Sequence, residues 1–392
     1  MTDALYLAFA YLRHNLVRSL VIVGAFVLIL ISPVVTRLVL NAAEAQLSAR
    51  AQATPLMIGA KGSALDLIMN GLYFSADRPE LITMADVDAV WDSGLAIAVP
   101  LYVRYTAGGQ PVVGTTLDYF KARNLTVAQG RPLAVLGEAV LGASAARRLG
   151  LGPGDLLITD PENLFDLAGA YPLELKVVGV LGPTGSADDT AVFVDMNTAW
   201  VIDGLGHGHD DVVAADAVVA TDGGNLTAFA GLTEFTRITD DNIDSFHFHG
   251  SPDSYPVTSI LAVPWDKRSE TILRGRYIAP DRTRIAVVPG DVIQGLLSTI
   301  FRIGRILDAV FSVVGLAAVV AIGLALYLSM RLRKAETDTA FRLGCHRSMI
   351  ARLLAAEVAV LSIAAAAFAL LAVAIIRPQI QDIAIWLVTT QG

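Results

Sequence analysis

A single cysteine, Cys345, in 392 residues excludes an intramolecular disulfide and reads as a small reduced side chain. No Walker A loop occurs, so the chain is not expected to hydrolyse ATP itself. Gly59, Ala60, Lys61, Gly62 and Ser63 only imitate one, because a phosphate loop ends on Gly-Lys-Ser/Thr at the start of a helix. No H-E-x-x-H helix and no nucleophile elbow is present, so a membrane-anchored hydrolase has no catalytic constellation to rest on and no catalytic residue is assigned. Positive charge is also short. Lys and Arg number 29 against 37 Asp and Glu, a net charge of −8 that argues against nucleic acid as partner.

Apolar residues make up the balance. The chain is 54% hydrophobic and 17% charged, with a mean hydropathy of +0.57. That is too apolar for a soluble protein and too polar for a bundle made only of membrane spans. The expected class is therefore membrane α-helical, with three spans, plus a large α+β extracytoplasmic domain.

Leu5 to Arg18 reads as an amphipathic helix, with Leu5, Phe9 and Leu12 on one face and Arg13, His14 and Arg18 near its end. Residues 1–19 are expected to lie along the cytoplasmic membrane surface, among the lipids. Leu20–Leu40 forms the first span; it is longer than a signal-peptide core, and Arg13 and Arg18 hold the N-terminus inside. Ala42–Arg50 continues it as a helical stalk. Ile306–Met330 and Met349–Ile376 each exceed the ~20 residues that a helical span needs. Gly304, Gly315 and Gly323 offer small surfaces for helix packing, and Asp308 is expected to pair with Arg305 at the outer interface. Glu357 lies inside the third span, where it reads as a structural anchor. Beyond Arg377 and Pro378, Ile380–Val388 supplies only about nine apolar residues, too few to cross, and residues 377–392 are expected as a short extracytoplasmic tail.

Residues 41–299 are the water-exposed domain. Leu101–Tyr105, Leu173–Leu181 and Ala191–Val194 read as strands, and Pro256–Val263 and Ile285–Val288 as later ones. Ala139–Leu149 and Met196–Gly204 read as helices, and a division into two lobes is expected near residue 205. His207 and His209, beside Asp210 and Asp211, and His247 and His249, near Asp244, form two i, i+2 pairs. On a strand such spacing turns both imidazoles to one face, as a zinc site requires. The same four residues also suit a polar, glycine-rich loop (Gly204, Gly206, Gly208) with no metal.

Residues 331–348 carry the densest charge between two spans. Arg331, Arg333, Lys334, Arg342 and Arg347 face only Glu336 and Asp338, which places the loop in the cytoplasm. Ala335–Leu343 has helical spacing and stops at Gly344. Arg333, Lys334, Glu336, Phe341, Arg342, Leu343, Gly344, His346, Arg347, Ile350 and Glu357 resemble the C-terminal signature of the MacB/FtsX-type ABC transporter permeases. Gly130-Arg131-Pro132, Val140-Leu141-Gly142, Leu149-Gly150-Leu151, Pro153-Gly154-Asp155, Val177–Val180, Asp189 and Val192–Val194 are similar to the core of that family's periplasmic domain.

The resemblance implies a permease in the bacterial inner membrane, working as a homodimer with a separate cytosolic ABC ATPase that binds ATP and Mg²⁺. A periplasmic partner is a further expectation. ATP-driven motion would pass through the coupling helix to the outer domain, with Glu336 and Arg342 at the ATPase contact and Phe341, Leu343 and Gly344 shaping the turn. The family usually has four spans, so a partner would complete the bundle. The competing reading is a metal-binding or metal-sensing membrane protein that uses the paired histidines.

Overall fold

Strands such as Leu173–Leu181, buried at every position except Lys176, must be covered on both faces. The computed structural model describes residues 6, 9–10, 12–161, 172–208, 218–222, 225–228, 236–239, 241–279, 283–332 and 347–379. Residues 46–294 belong to one compact unit built on a mixed, eleven-stranded sheet. Its strands run in the order Thr236–Arg237, Leu173–Leu181, Glu138–Leu141, Val192–Asp195, Gln110–Thr115, Ala96–Ala107, Ser259–Pro264, Leu56–Ala60, Arg284–Val287. Val127–Gly130 and Leu156–Ile158 both pair antiparallel with Leu173–Leu181.

Alternation along each strand divides the core between two faces of the sheet. Ala139 and Leu141, Val192 and Val194, and Leu175 and Val177 enter one apolar cluster. Val140, Phe193 and Val178, their neighbours in sequence, enter the other. Strands from both sides of residue 205 share the sheet, so the two lobes expected there are not seen as separate units.

Ala139–Leu149 is not one helix. Glu138–Leu141 is a strand between Leu173–Leu181 and Val192–Asp195, and the helix begins only at Ala143, with Gly142 as its N-cap. Apolar residues at 139–141 fit either structure by pattern, and the two neighbouring strands decide. Met196–Ile202 is helical as expected, capped by the Asp195 side chain accepting from the Thr198 amide. Ser63 is likewise an N-cap, which gives the Gly59–Ser63 stretch a structural role.

The second unit comprises residues 1–45 and 295–384. Among the described residues, three helices are long and apolar enough to cross a membrane: Leu16–Gln52, Pro289–Leu332 and Arg347–Ile376. The first has 37 residues, which at 1.5 Å per residue gives about 55 Å against a hydrocarbon core of about 30 Å. Helix thus continues through the expected stalk. Residues 1–5, 7, 8 and 11 of the proposed N-terminal amphipathic segment, the 331–348 coupling loop from residue 333 to 346, and the tail from residue 380 lie outside the described residues.

Gly304 and Gly315 face the first helix: a Cβ would meet Leu40 at 3.3 Å and Ile29 at 3.7 Å respectively. Gly323 has no neighbour within 4 Å among the described residues, so it does not share that role.

Candidate functional site

The last turn of the first long helix ends in a buried polar cluster. Arg50 projects there with 8% of its surface exposed. Its Nε donates to the Leu72 carbonyl, Nη1 to Ser186 Oγ (3.1 Å) and Asp188 Oδ2 (2.5 Å), and Nη2 to Tyr119 Oη (2.8 Å) and Asp188 Oδ1 (2.8 Å). A guanidinium has five N–H donors, and each finds an acceptor. Tyr119 in turn donates to Asp188 Oδ1 at 2.7 Å. The Phe74 ring packs under Arg50, its centroid 5.3 Å from Cζ.

Two more bonds tie the same helix end. Tyr73 Oη donates to the Leu47 carbonyl at 2.5 Å, and Arg123 Nη2 to Thr54 Oγ1 at 2.8 Å. The helix terminus is therefore held by helix Ala64–Tyr73, by helix Leu117–Ala122 and by the turn Ala187–Thr190. Planar bidentate pairing sets its rotation as well as its position.

Burial pushes the Asp188 carboxyl up, but the adjacent Arg50 charge and the hydrogen bonds from Arg50 and Tyr119 outweigh it. The carboxyl is held below its usual range. A depressed folded-state pKa stabilises the fold above the unfolded value, and that stabilisation is lost as pH falls through the folded value. Wild type should therefore lose stability steeply below about pH 4, where carboxylates begin to protonate. Asp188→Asn should lack this component in an acid titration followed by tryptophan fluorescence.

The sequence reading missed Arg50, Tyr119 and Asp188 as a site. The one signal was Arg50 itself, a basic residue flanked by Ala49 and Ala51.

In the second unit, Asp308 pairs with Arg37 of the first long helix at 2.8 Å, replacing the expected partner Arg305. Glu357 is 3% exposed, on the face where Leu361, Ala365 and Ala369 are also buried at i, i+4 spacing. Glu336, Phe341, Arg342, Leu343 and Gly344 lie outside the described residues.

The structure brings three of the four singled-out histidines together; His209 lies outside the described residues. His207, on strand Gly206–His207, stands opposite His247, on strand His247–Phe248. Ring centroids are 4.8 Å apart for His207 and His247, 4.9 Å for His207 and His249, and 4.8 Å for His247 and His249. Phe248 points the other way, edge-on to Trp200 at 6.5 Å and near Tyr255 at 6.0 Å.

The family model for the MacB-like periplasmic core domain matches residues 19–232, just over half of the chain. No curated protein sequence matches. Among solved structures, the chain is similar to the periplasmic region of MacB from Actinobacillus actinomycetemcomitans: 13% identity, 62% of this chain, 93% of that one, TM-score 0.36. It is also similar to the extracellular domain of the noncanonic ABC-type transporter YknZ from Gram-positive bacteria (16% identity, 36% and 73% covered, TM-score 0.26). A domain of a putative permease protein from Porphyromonas gingivalis aligns at 9% identity over 59% and 86%, with a TM-score of 0.27.

Proposed function

The chain belongs to the MacB/FtsX-like ABC transporter permeases, and from that premise we propose that it converts ATP hydrolysis by a separate cytosolic ATPase into movement of its extracytoplasmic domain. Permease components of these transporters are not themselves the ATPase, so ATP and Mg²⁺ belong to the partner. In this reading two copies of the chain sit in the bacterial inner membrane with the N-terminus inside, and a periplasmic protein receives the work. The loop around Arg342 and Glu336 takes the push, and Phe341, Leu343 and Gly344 form its turn.

The observation that carries the mechanical part is the helix Leu16–Gln52, which contains an apolar run and carries Arg50 in its last turn. A helix transmits displacement along its axis only if its end is gripped. The five hydrogen bonds of Arg50 supply a grip that resists both pull and rotation. The family match favours this reading over the metal-sensing one as the protein's main activity.

The test is affinity capture of the detergent-solubilised chain, wild type and Arg342→Glu, with mass spectrometry of the bound proteins. An ABC ATPase should come with wild type and be lost with the variant, since reversing a docking charge places like charges in contact. Absence of an ATPase from both samples would remove the basis for a permease.

A further inference from the structure

We propose that His207, His247 and His249 bind a divalent transition metal of the zinc class on the surface of the unit formed by residues 46–294. Their ligand nitrogens all lie within 4.8 Å of one another. Zinc–nitrogen bonds of about 2.0–2.1 Å at tetrahedral angles place nitrogens about 3.3 Å apart. Closing that gap takes only rotation of imidazoles, two of which are exposed and one half-buried.

Three features separate this cluster from a polar loop that merely contains histidines. The first is alternation. Phe246 and Phe248 pack against the apolar core, so His247 and His249, two apart, share the opposite face. The second is the pair of glycines that flank His207. A Cβ on Gly206 would lie 2.6 Å from the Phe248 ring, and one on Gly208 would lie 2.7 Å from the Phe246 ring. Both rings close onto bare backbone, which fixes His207 across from His247 in register.

The third is the tautomer. His247 Nδ1 lies 3.1 Å from the Ser245 carbonyl, which can only accept. Nδ1 then carries the proton, and Nε2 bears the ring's lone pair. Backbone carbonyls orient metal-binding histidines in this way.

Three imidazoles with no thiolate select zinc, copper or nickel over calcium and magnesium. Three protein ligands leave a fourth position for water or for a group from a partner. Because the two strands are some forty positions apart in sequence, a bound ion would staple them, and the metal would stabilise this edge of the domain.

The experiment uses the full chain in detergent, free of any affinity tag and stripped with chelator, titrated with Zn²⁺ by calorimetry. Wild type should bind one equivalent. His249→Gln should weaken binding at least roughly tenfold, given that even outer partners of a metal site are worth 10–100-fold, and the triple variant His207→Gln/His247→Gln/His249→Gln should abolish it. The control His14→Gln/His346→Gln should bind as wild type does. Thermal unfolding gives the second readout. With chelator present, wild type and His249→Gln should unfold together, and added Zn²⁺ should raise the midpoint of wild type only. No stoichiometric binding by wild type would overturn the proposal, and so would equal binding or an equal midpoint shift in the triple variant. The result does not depend on recovery of an ATPase, so this site and the permease reading stand or fall separately.

Discussion

Asp188→Asn should destabilise the unit formed by residues 46–294 by about 3–5 kcal/mol, the usual cost of leaving one partner of a buried ion pair uncompensated. Arg50 would keep its Leu72, Ser186 and Tyr119 acceptors, but its charge would lose the carboxylate that accepts from both Nη groups. Native stabilities of 5–15 kcal/mol leave little room for such a loss. Urea unfolding of the full chain, followed by tryptophan fluorescence, to which Trp91, Trp200 and Trp265 of this unit contribute, would measure it. Tyr119→Phe tests the same cluster more gently. It removes one hydroxyl and leaves the ion pair, so about 0.5–1.5 kcal/mol is expected. The combination Arg50→Met with Asp188→Leu should recover much of the loss of the single variant, because a buried pair as a whole contributes little net stability. If Asp188→Asn cost no more than Tyr119→Phe, the cluster would not be the grip on the helix end, and the mechanical reading would lose its support.

That cluster also marks the limit of what pattern can reveal. Arg50 and Asp188 lie 138 positions apart, and no periodicity links them. Only the assembled fold brings the turn Ala187–Thr190 against the helix end. Local signals were readable wherever local physics decides. Asp195 announces helix Met196–Ile202 through its side-chain cap, and the β-branched run Val177–Val180 announces a strand. The i, i+2 histidines were legible for the same reason, since alternation alone puts His247 and His249 on one face. Their approach to His207 depended instead on the register between distant strands. The misread stretch at Ala139–Leu149 fails in the same way: Val140 and Leu141 are strand because two neighbouring strands hydrogen-bond them, while Ala143 onward is free to coil.

Gly130→Ala is expected to cost roughly 2–5 kcal/mol, from about 1–2 kcal/mol for a left-handed backbone and 1–3 kcal/mol for overpacking. Gly130 and Gly179 stand opposite each other where strand Val127–Gly130 pairs with Leu173–Leu181. Gly130 has φ +78°, and a Cβ there would lie 2.1 Å from the Val178 carbonyl oxygen and 2.9 Å from the Gly179 Cα. Both obstacles are backbone, so no side chain can rotate away. Gly179 has no such φ, and its Cβ would lie 2.4 Å from the Arg131 carbonyl oxygen. Gly179→Ala should therefore carry only the overpacking cost of about 1–3 kcal/mol. Gly152, in the loop before Leu156–Ile158, has neither a positive φ nor a neighbour within 4 Å, and Gly152→Ala should be neutral or slightly stabilising, by about 0.4–1 kcal/mol. The double variant Gly130→Ala/Gly179→Ala should cost less than the sum of the two, because one backbone shift relieves both contacts. Urea midpoints of the four variants would give the order. A Gly130→Ala loss no larger than that of Gly179→Ala would mean that the strand pair tolerates separation, and the close approach would then not be what these two glycines secure.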